Sequence, residues 1–185
     1  MAYGAVLDAC VLVPIGLCDV LLRAAQRDLY RVHWSEDILS EVENVLVRLD
    51  IEPTKAQKRV ATMRAAFERA NVTGFAGIID RMPNHPKDRH VLAAAVVAGA
   101  QSIVTFNLKD FPTEGTEQAH IRAEHPDEFL TNLFHLYPDI LTDIIVRRAA
   151  LLDRPDRPVT PHDVLDHFAR QECRCFTELV RVRLG

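Results

Sequence analysis

An α/β fold on a central parallel sheet, with a helical extension at its C-terminal end, is what this sequence predicts. Three observations point there. In residues 84–112, NHPKDRHVLAAAVVAGAQSIVTFNLKDFP, a helix of small apolar residues stops at Gly99 and leads into the unbroken apolar run SIVTF at 102–106. Such a run reads as an internal parallel strand, because both of its faces must be covered. Ala5-Val6-Leu7 is a second short apolar run, ending on Asp8 ahead of a helix-like pattern over residues 15–27. Further strands are expected at 30–33 and 118–124, with helical patterns between them.

The elements around the long central stretch carry their own signals. Pro86 suits the first turn of a helix, Asp88 meets the free N–H groups and positive dipole end there, and Gly99 supplies the stop. Asp110 follows the strand. In open α/β sheets ligands bind outside the carboxyl ends of the strands, and a helix running back over the sheet starts at that same rim, so Asp88 and Asp110 share it. Each also has an ordinary role open to it, Asp88 as a helix cap and Asp110 as a turn former.

Earlier in the chain, Asp8 leaves a central strand at the same rim, again with capping as its ordinary alternative. Ser35 is a good N-cap for the helix EDILSEVENVLVRL. At about 100° per residue, Ile38, Val42, Val45 and Leu49 form its apolar stripe, and Glu41 falls at the border. A carboxylate there is costly unless paired, so Glu41 is expected to turn inward, with an arginine as its ordinary partner. Pro53 breaks the chain and Thr54 is expected to cap a basic helix over 54–69. Its Lys55, Lys58 and Arg59 are candidates for holding a nucleic-acid backbone, although a solvated helix face explains them equally well.

Downstream, Gly74 and Gly77 loosen a helical arm, HPDEFLTNLFHLYP is a helix opened by Pro126, and residues 139–153 form another with Ile140, Leu141, Ile144, Ile145 and Leu151 at helical spacing. RPDRPVTP is a connector. Thr160-Pro161-His162-Asp163 then starts a last helix running to Leu184, with Val164, Leu165, Phe168, Cys175, Phe176, Leu179 and Val180 on its apolar face. The organisation expected is a domain over 1–150 and a connector with an amphipathic helix over 151–185.

Composition narrows the function. With 48% hydrophobic residues in a chain of 185, the protein can bury a core. A net charge of -4 excludes a global basic field, so any nucleic-acid surface must be local. No signal peptide or membrane span is visible, and Cys10, Cys18, Cys173 and Cys175 are expected as reduced thiols in the cytoplasm. Cys173 and Cys175 are too close in sequence for a zinc pair. Phosphate-cradling glycines, a nucleophile-elbow serine and H-E-x-x-H are absent. His85, His90 and His125 read as loop or helix-start residues rather than ligands. An acidic constellation remains: Asp8, Glu41, Asp88 and Asp110.

VLDACVLVP, SEDILSEVENVL, KDRHVLAAAVVAGAQSIVTFNLKDFP and AEHPDEFL, in this order, resemble the PIN-domain family, particularly its bacterial toxin-type ribonucleases related to VapC. The likeness runs over residues 3–135. It implies a three-layer α/β/α sandwich with Asp8, Glu41, Asp88 and Asp110 at the rim of the sheet, binding Mg²⁺ or Mn²⁺, and with Thr105 and Asn107 as the supporting polar pair. Many members carry an acid where this chain has Asn107, so the last ligand is either Asp110 or Asn107 through water. The resemblance further implies an RNA substrate, a homodimer, and a small antitoxin protein as partner.

Elementary electrostatics explains why such a set needs a cation. Two carboxylates about 4 Å apart repel by about 4 kcal/mol at an effective dielectric of 20. Crowded without a counter-ion, they raise one another's pKa or splay apart. Oxygen ligands that keep several waters suit Mg²⁺ or Mn²⁺. Two other readings stay open at this point. One is a PIN scaffold that binds RNA or protein without cutting. The other is a phosphoryl-handling α/β domain of receiver or phosphatase type, although Asp8-Ala9-Cys10 lacks the second acid of a DxD nucleophile motif.

Overall fold

The computed structural model describes residues 3–117 and 119–185. In chain order the elements are β1 (Gly4–Leu7), α1 (Ala9–Leu12), α2 (Ile15–Gln26), β2 (Arg31–His33), α3 (Glu36–Arg48), α4 (Pro53–Ala66), α5 (Arg89–Ala98) and β3 (Ser102–Val104). They are followed by α6 (Thr113–Glu117), β4 (Arg122–Glu124), α7 (Pro126–Leu136), α8 (Pro138–Leu152), α9 (Pro161–Arg170) and α10 (Arg174–Leu184). Short 3-10 turns precede α5 and follow β3, at Pro86–Asp88 and Leu108–Asp110. The expected α/β class is the one present. Gln118, expected to open the last strand, lies outside the described residues.

The four strands form one parallel sheet in the order β2-β1-β3-β4. Register pairs Val6 with His33 on one side and with Ile103 on the other. Both central strands are buried along their whole length, which is why GAVL and SIV read as continuous apolar runs rather than alternating ones. From β1 the chain crosses to β2 on one side, then returns past β1 to β3 on the other. The strand order therefore reverses between β1 and β3. Loops leaving the carboxyl ends of these two strands run in opposite directions and leave a crevice, where α/β sheets bind ligands.

By its internal packing the chain divides into two compact units. The first comprises the chain through Pro14 together with Tyr30–His125 and holds the sheet. Here α5 packs on β1 and β3, and its Ala93, Ala94 and Ala95 are all 0% exposed, the first two in a cluster with Val72 and Phe75. Gly99 ends α5 in the left-handed region at φ 60°, as its position required. Ser35 caps α3 by accepting from the Ile38 N–H at 3.2 Å.

Two local expectations in this unit are corrected. The stripe that α3 buries is Ile38, Leu39, Val42 and Leu46 rather than one ending at Leu49, which is 60% exposed because the helix stops at Arg48 and the chain turns away at Asp50, φ 61°. α4 starts at Pro53, not after it. Proline at the first helical position has no N–H to satisfy, and Thr54 instead donates its hydroxyl to the Glu52 carboxylate at 2.6 Å.

The second unit is helical and comprises Ile15–Leu29 with Pro126–Gly185. Residues 126–150, expected with the sheet, group here with the chain's end. α8 packs against α2 and α9, while α10 packs against α7, α8 and α9. The predicted helix start at Thr160 is present as a capping box, with Thr160 and Asp163 each bonding the other's backbone N–H. The single last helix expected from there is instead two. Glu172, at φ 64°, turns the chain between α9 and α10, and the Cys173 N–H bonds back to the Phe168 carbonyl at 3.1 Å. The break lets Cys173, Phe176 and Val180 reach a core together with Phe168. Cys175 and Leu151, placed on apolar faces by spacing, are exposed. Among the described residues no helix is long and apolar enough to cross a membrane.

Candidate functional site

The site is built at the strand reversal between β1 and β3. Asp8 follows β1 directly, and its N–H continues the sheet by donating to the Val104 carbonyl at 3.1 Å. Its carboxylate is 3% exposed, so its position is fixed by what it bonds. One oxygen accepts from the Ala9 N–H at 2.7 Å, which is the cap of α1. The other accepts the Thr105 hydroxyl at 2.7 Å and the Cys10 thiol at 3.2 Å. All three donors are neutral. They orient the carboxylate without cancelling its charge.

Thr105 is fully buried just beyond β3 and is oriented in turn, since its hydroxyl accepts the Asn107 N–H at 3.0 Å. Its single hydroxyl proton goes to Asp8. Cys10 completes the shell, its sulfur accepting the Phe106 N–H at 3.3 Å. Burial, reinforced by the Asp8 charge, pushes the thiol up to about 12, so it stays protonated at neutral pH.

Asp88 occupies the N-cap position ahead of α5 but makes no side-chain capping bond, so the ordinary role open to it in sequence is unused. Its carboxyl is 5% exposed and held above the usual aspartate range, first by burial and then by the negative charges of Asp8 and Asp110, with Glu41 adding a smaller push and Lys87 opposing. These four acids come from four distant parts of the chain and act on one another electrostatically. Among the described residues, no arginine or lysine is in ion-pair contact with Asp8, Asp88 or Asp110.

The tightest grouping includes a residue that sequence reasoning set aside. A ring nitrogen of His85 and one carboxylate oxygen each from Asp88 and Asp110 lie within 4.8 Å of one another. Glu41 stands outside that group, on α3, and its partner is a histidine rather than the expected arginine: His90 Nε2 is 3.4 Å from its carboxylate. The His90 hydrogen bond holds Glu41 below the usual carboxylate range. Burial lowers the basicity of His90, but the hydrogen bond to Glu41 and the charges of Glu41, Asp37 and Asp8 outweigh it and raise its pKa.

Of the basic residues, Lys55 and Lys58 are exposed, and Lys55 is 3.7 Å from Glu52. Arg59 is committed elsewhere. Its guanidinium donates to the Leu12 and Val13 carbonyls and so satisfies the C-terminal end of α1.

Chemically, the arrangement places two nearly buried carboxylates, Asp8 and Asp88, near the half-buried Asp110, with no lysine or arginine in ion-pair contact among the described residues. Buried carboxylates of this kind need pairing or a metal, and the donor set fits a hard divalent ion. Residues 4–109 match the family model of the PIN domain.

The chain belongs to the PIN-domain family.

The PIN match holds Asp8, Glu41, Asp88, Thr105 and Asn107, and ends one residue before Asp110. A second family model, the VapC50 C-terminal domain, matches residues 126–182, the continuous part of the helical unit. A Mycobacterium tuberculosis (strain ATCC 25618 / H37Rv) protein named "Putative ribonuclease VapC50" is 43% identical over 99 residues, which cover 53% of this chain and 57% of that relative. The chain thus spans little more than half the length of the curated relative it matches. No solved structure gives a significant match.

Three residues of this candidate site were set aside in the sequence: Cys10, read as a reduced thiol, and His85 and His90, read as loop or helix-start residues rather than ligands. Cys10 did carry a usable signal, lying two residues past a strand-end acid on the first turn of α1. His85 and His90 flank Asp88, but only the fold shows that one side faces Asp110 and the other Glu41.

Proposed function

We propose that this chain is a divalent-metal-dependent endoribonuclease, the toxin of a toxin–antitoxin pair, working in the cytoplasm on RNA as a homodimer restrained by a small antitoxin protein. One observation carries the reading: Asp8 and Asp88, nearly fully buried at the strand reversal of a PIN sheet, have no lysine or arginine in ion-pair contact among the described residues. The ribonuclease name of the mycobacterial relative supports RNA as the substrate class.

Asp8, Asp88 and Asp110 would hold Mg²⁺ or Mn²⁺, with Glu41 at the edge of the site and Asn107 able to complete it through water. An ion held there would lower the pKa of a water and would offset charge on the leaving oxygen of a phosphodiester. The chain's own residues do the positioning. Thr105 and the Ala9 N–H fix both oxygens of Asp8, so the ligand is preorganised before any ion arrives. His90 keeps Glu41 ionised and oriented. Lys55 and Lys58 are exposed and able to hold the flanking RNA backbone, whereas Arg59 anchors α4 to the end of α1.

The test uses pure protein and defined single-stranded and hairpin RNAs, with product ends sequenced. Cleavage should need Mg²⁺ or Mn²⁺, stop with chelator, and be lost in Asp8→Asn and Asp88→Asn. A protein that binds RNA but never cuts it under these conditions is a scaffold, and the nuclease proposal fails. Cutting that persists in both variants locates the activity elsewhere.

A further inference from the structure

His85 lies immediately before Pro86, and a residue in that position is steered away from helical backbone. It accordingly stays extended, at φ -53° and ψ 132°, while the 3-10 turn starts behind it. Its main chain is tied to both acids of the tight group. The His85 N–H donates to the Asp110 carbonyl at 3.1 Å, and the His85 carbonyl accepts the Asp88 N–H at 2.9 Å. These two bonds hold the imidazole in register with both carboxylates, with Nδ1 3.6 Å from the Asp88 oxygen.

Those spacings are ligand spacings. Around an ion with bonds of about 2.1 Å, neighbouring donors sit about 3.0 Å apart and opposite donors about 4.2 Å apart. The 3.6 Å separation falls between the two limits. A pair at the 4.8 Å bound on the group would contract by about 0.6 Å to stand opposite across the ion, or by about 1.8 Å to stand adjacent. With 57% of its side chain exposed, the ring has room to make that adjustment.

We propose that His85 is a nitrogen ligand of this metal centre and biases it away from Mg²⁺ and towards Mn²⁺ and later divalent transition ions. Mg²⁺ prefers oxygen donors and retained waters, while imidazole nitrogen suits the transition metals. Placing nitrogen beside two carboxylates changes which ion wins the site. The inference rests on the proposed metal-dependent reading and adds to it the ligand that sets selectivity.

Pulsed electron paramagnetic resonance of the Mn²⁺-loaded full chain, together with calorimetric titration of Mn²⁺ and Mg²⁺, tests it directly. The wild type should show ¹⁴N coupling to Mn²⁺, converted to ¹⁵N coupling by ¹⁵N-histidine labelling and absent in His85→Ala and His85→Gln. In both variants Mn²⁺ affinity should fall at least about tenfold, with Mg²⁺ affinity little changed. Coupling that persists without His85, no coupling in the wild type, or equal loss of both ions would overturn the assignment. Asp88→Asn separates the two levels. If it abolishes Mn²⁺ binding while His85→Ala has no effect, only the His85 proposal fails; if the wild type binds no Mn²⁺, the metal reading fails with it.

Discussion

The helical unit and the rim of the sheet handle their carboxylates in opposite ways. In the helical unit acids are matched by cations: Asp19 by Arg23 and Arg148, Asp143 by Arg27 and Arg147, Asp166 by Arg181, and Asp139 by Arg183. Asp127 there is spent capping α10, accepting the Cys175 and Phe176 N–H groups at 3.0 and 2.8 Å. At the sheet rim, Asp8, Asp88 and Asp110 meet with only neutral donors and a histidine in contact with them among the described residues, Lys87 acting on Asp88 only at longer range. The difference teaches that acidic composition says little by itself. An acid matched by its own guanidinium is structural, and acids crowded without one are held ready for a ligand.

The contrast can be broken by substitution. The largest effect should come from Asp8→Asn and Asp88→Asn, which should cut metal-dependent RNA cleavage at least about a hundredfold, whereas Asp143→Asn should leave it unchanged. Stability should move the other way. Asp88 is raised above its ordinary pKa, so the folded state disfavours its charge at every pH above that value, and removing the charge relieves the cost. Metal-free Asp88→Asn should therefore melt above the wild type by calorimetry, and a lower melting temperature would show that the crowding is not real.

Metal should then reverse the order. At a hundredfold excess over Kd, Mn²⁺ should stabilise the wild type by about 2.7 kcal/mol, a shift of several degrees in Tm, and leave Asp88→Asn where it was. Asp19→Ala supplies the opposite control. It strands Arg148, whose side chain is 13% exposed, and should cost about 2 kcal/mol in chemical denaturation without altering metal binding.

The smallest effect is one of pH. The Thr160 hydroxyl, and then its backbone N–H, hold Asp163 below the ordinary 3.8. A depressed carboxylate gives stability that is present above the unfolded value and lost as pH falls through the folded one. The stability difference between wild type and Asp163→Asn should therefore be constant near neutrality and vanish as the pH drops below about 3.8. Asp88 has the opposite sign, so the two acids should respond oppositely to acid.

Much of this was legible in the sequence because period and chemistry agreed there. SIVTF read as a covered strand, and its first three residues form β3; Gly99 read as a helix stop and ends α5; Asp8 and Asp110 were expected beyond strand ends and follow β1 and β3. Glu41 was singled out from its border position on α3, but its partner was not, because His90 reaches it across the fold rather than along a helix. His85 was read as a loop or helix-start residue for a similar reason: its place beside Asp110 and Asp88 depends on two backbone hydrogen bonds that no spacing encodes. Glu172 was missed because a left-handed glutamate has no local signature, and it alone breaks what the apolar pattern presented as one helix.

The make-up of the helical unit constrains the order in which the molecule can be assembled. α2 lies within the PIN-matched stretch yet packs against partners near the other terminus, with Arg27 reaching Asp143 across 116 positions and Asp19 reaching Arg148 across 129. During synthesis this segment leaves the ribosome long before α8 exists, so it must wait, unsatisfied, for most of the polypeptide to emerge. Closure over such separations is slow, and a fragment cut at residue 125 would keep α2 while losing α8 and α9, against which it packs.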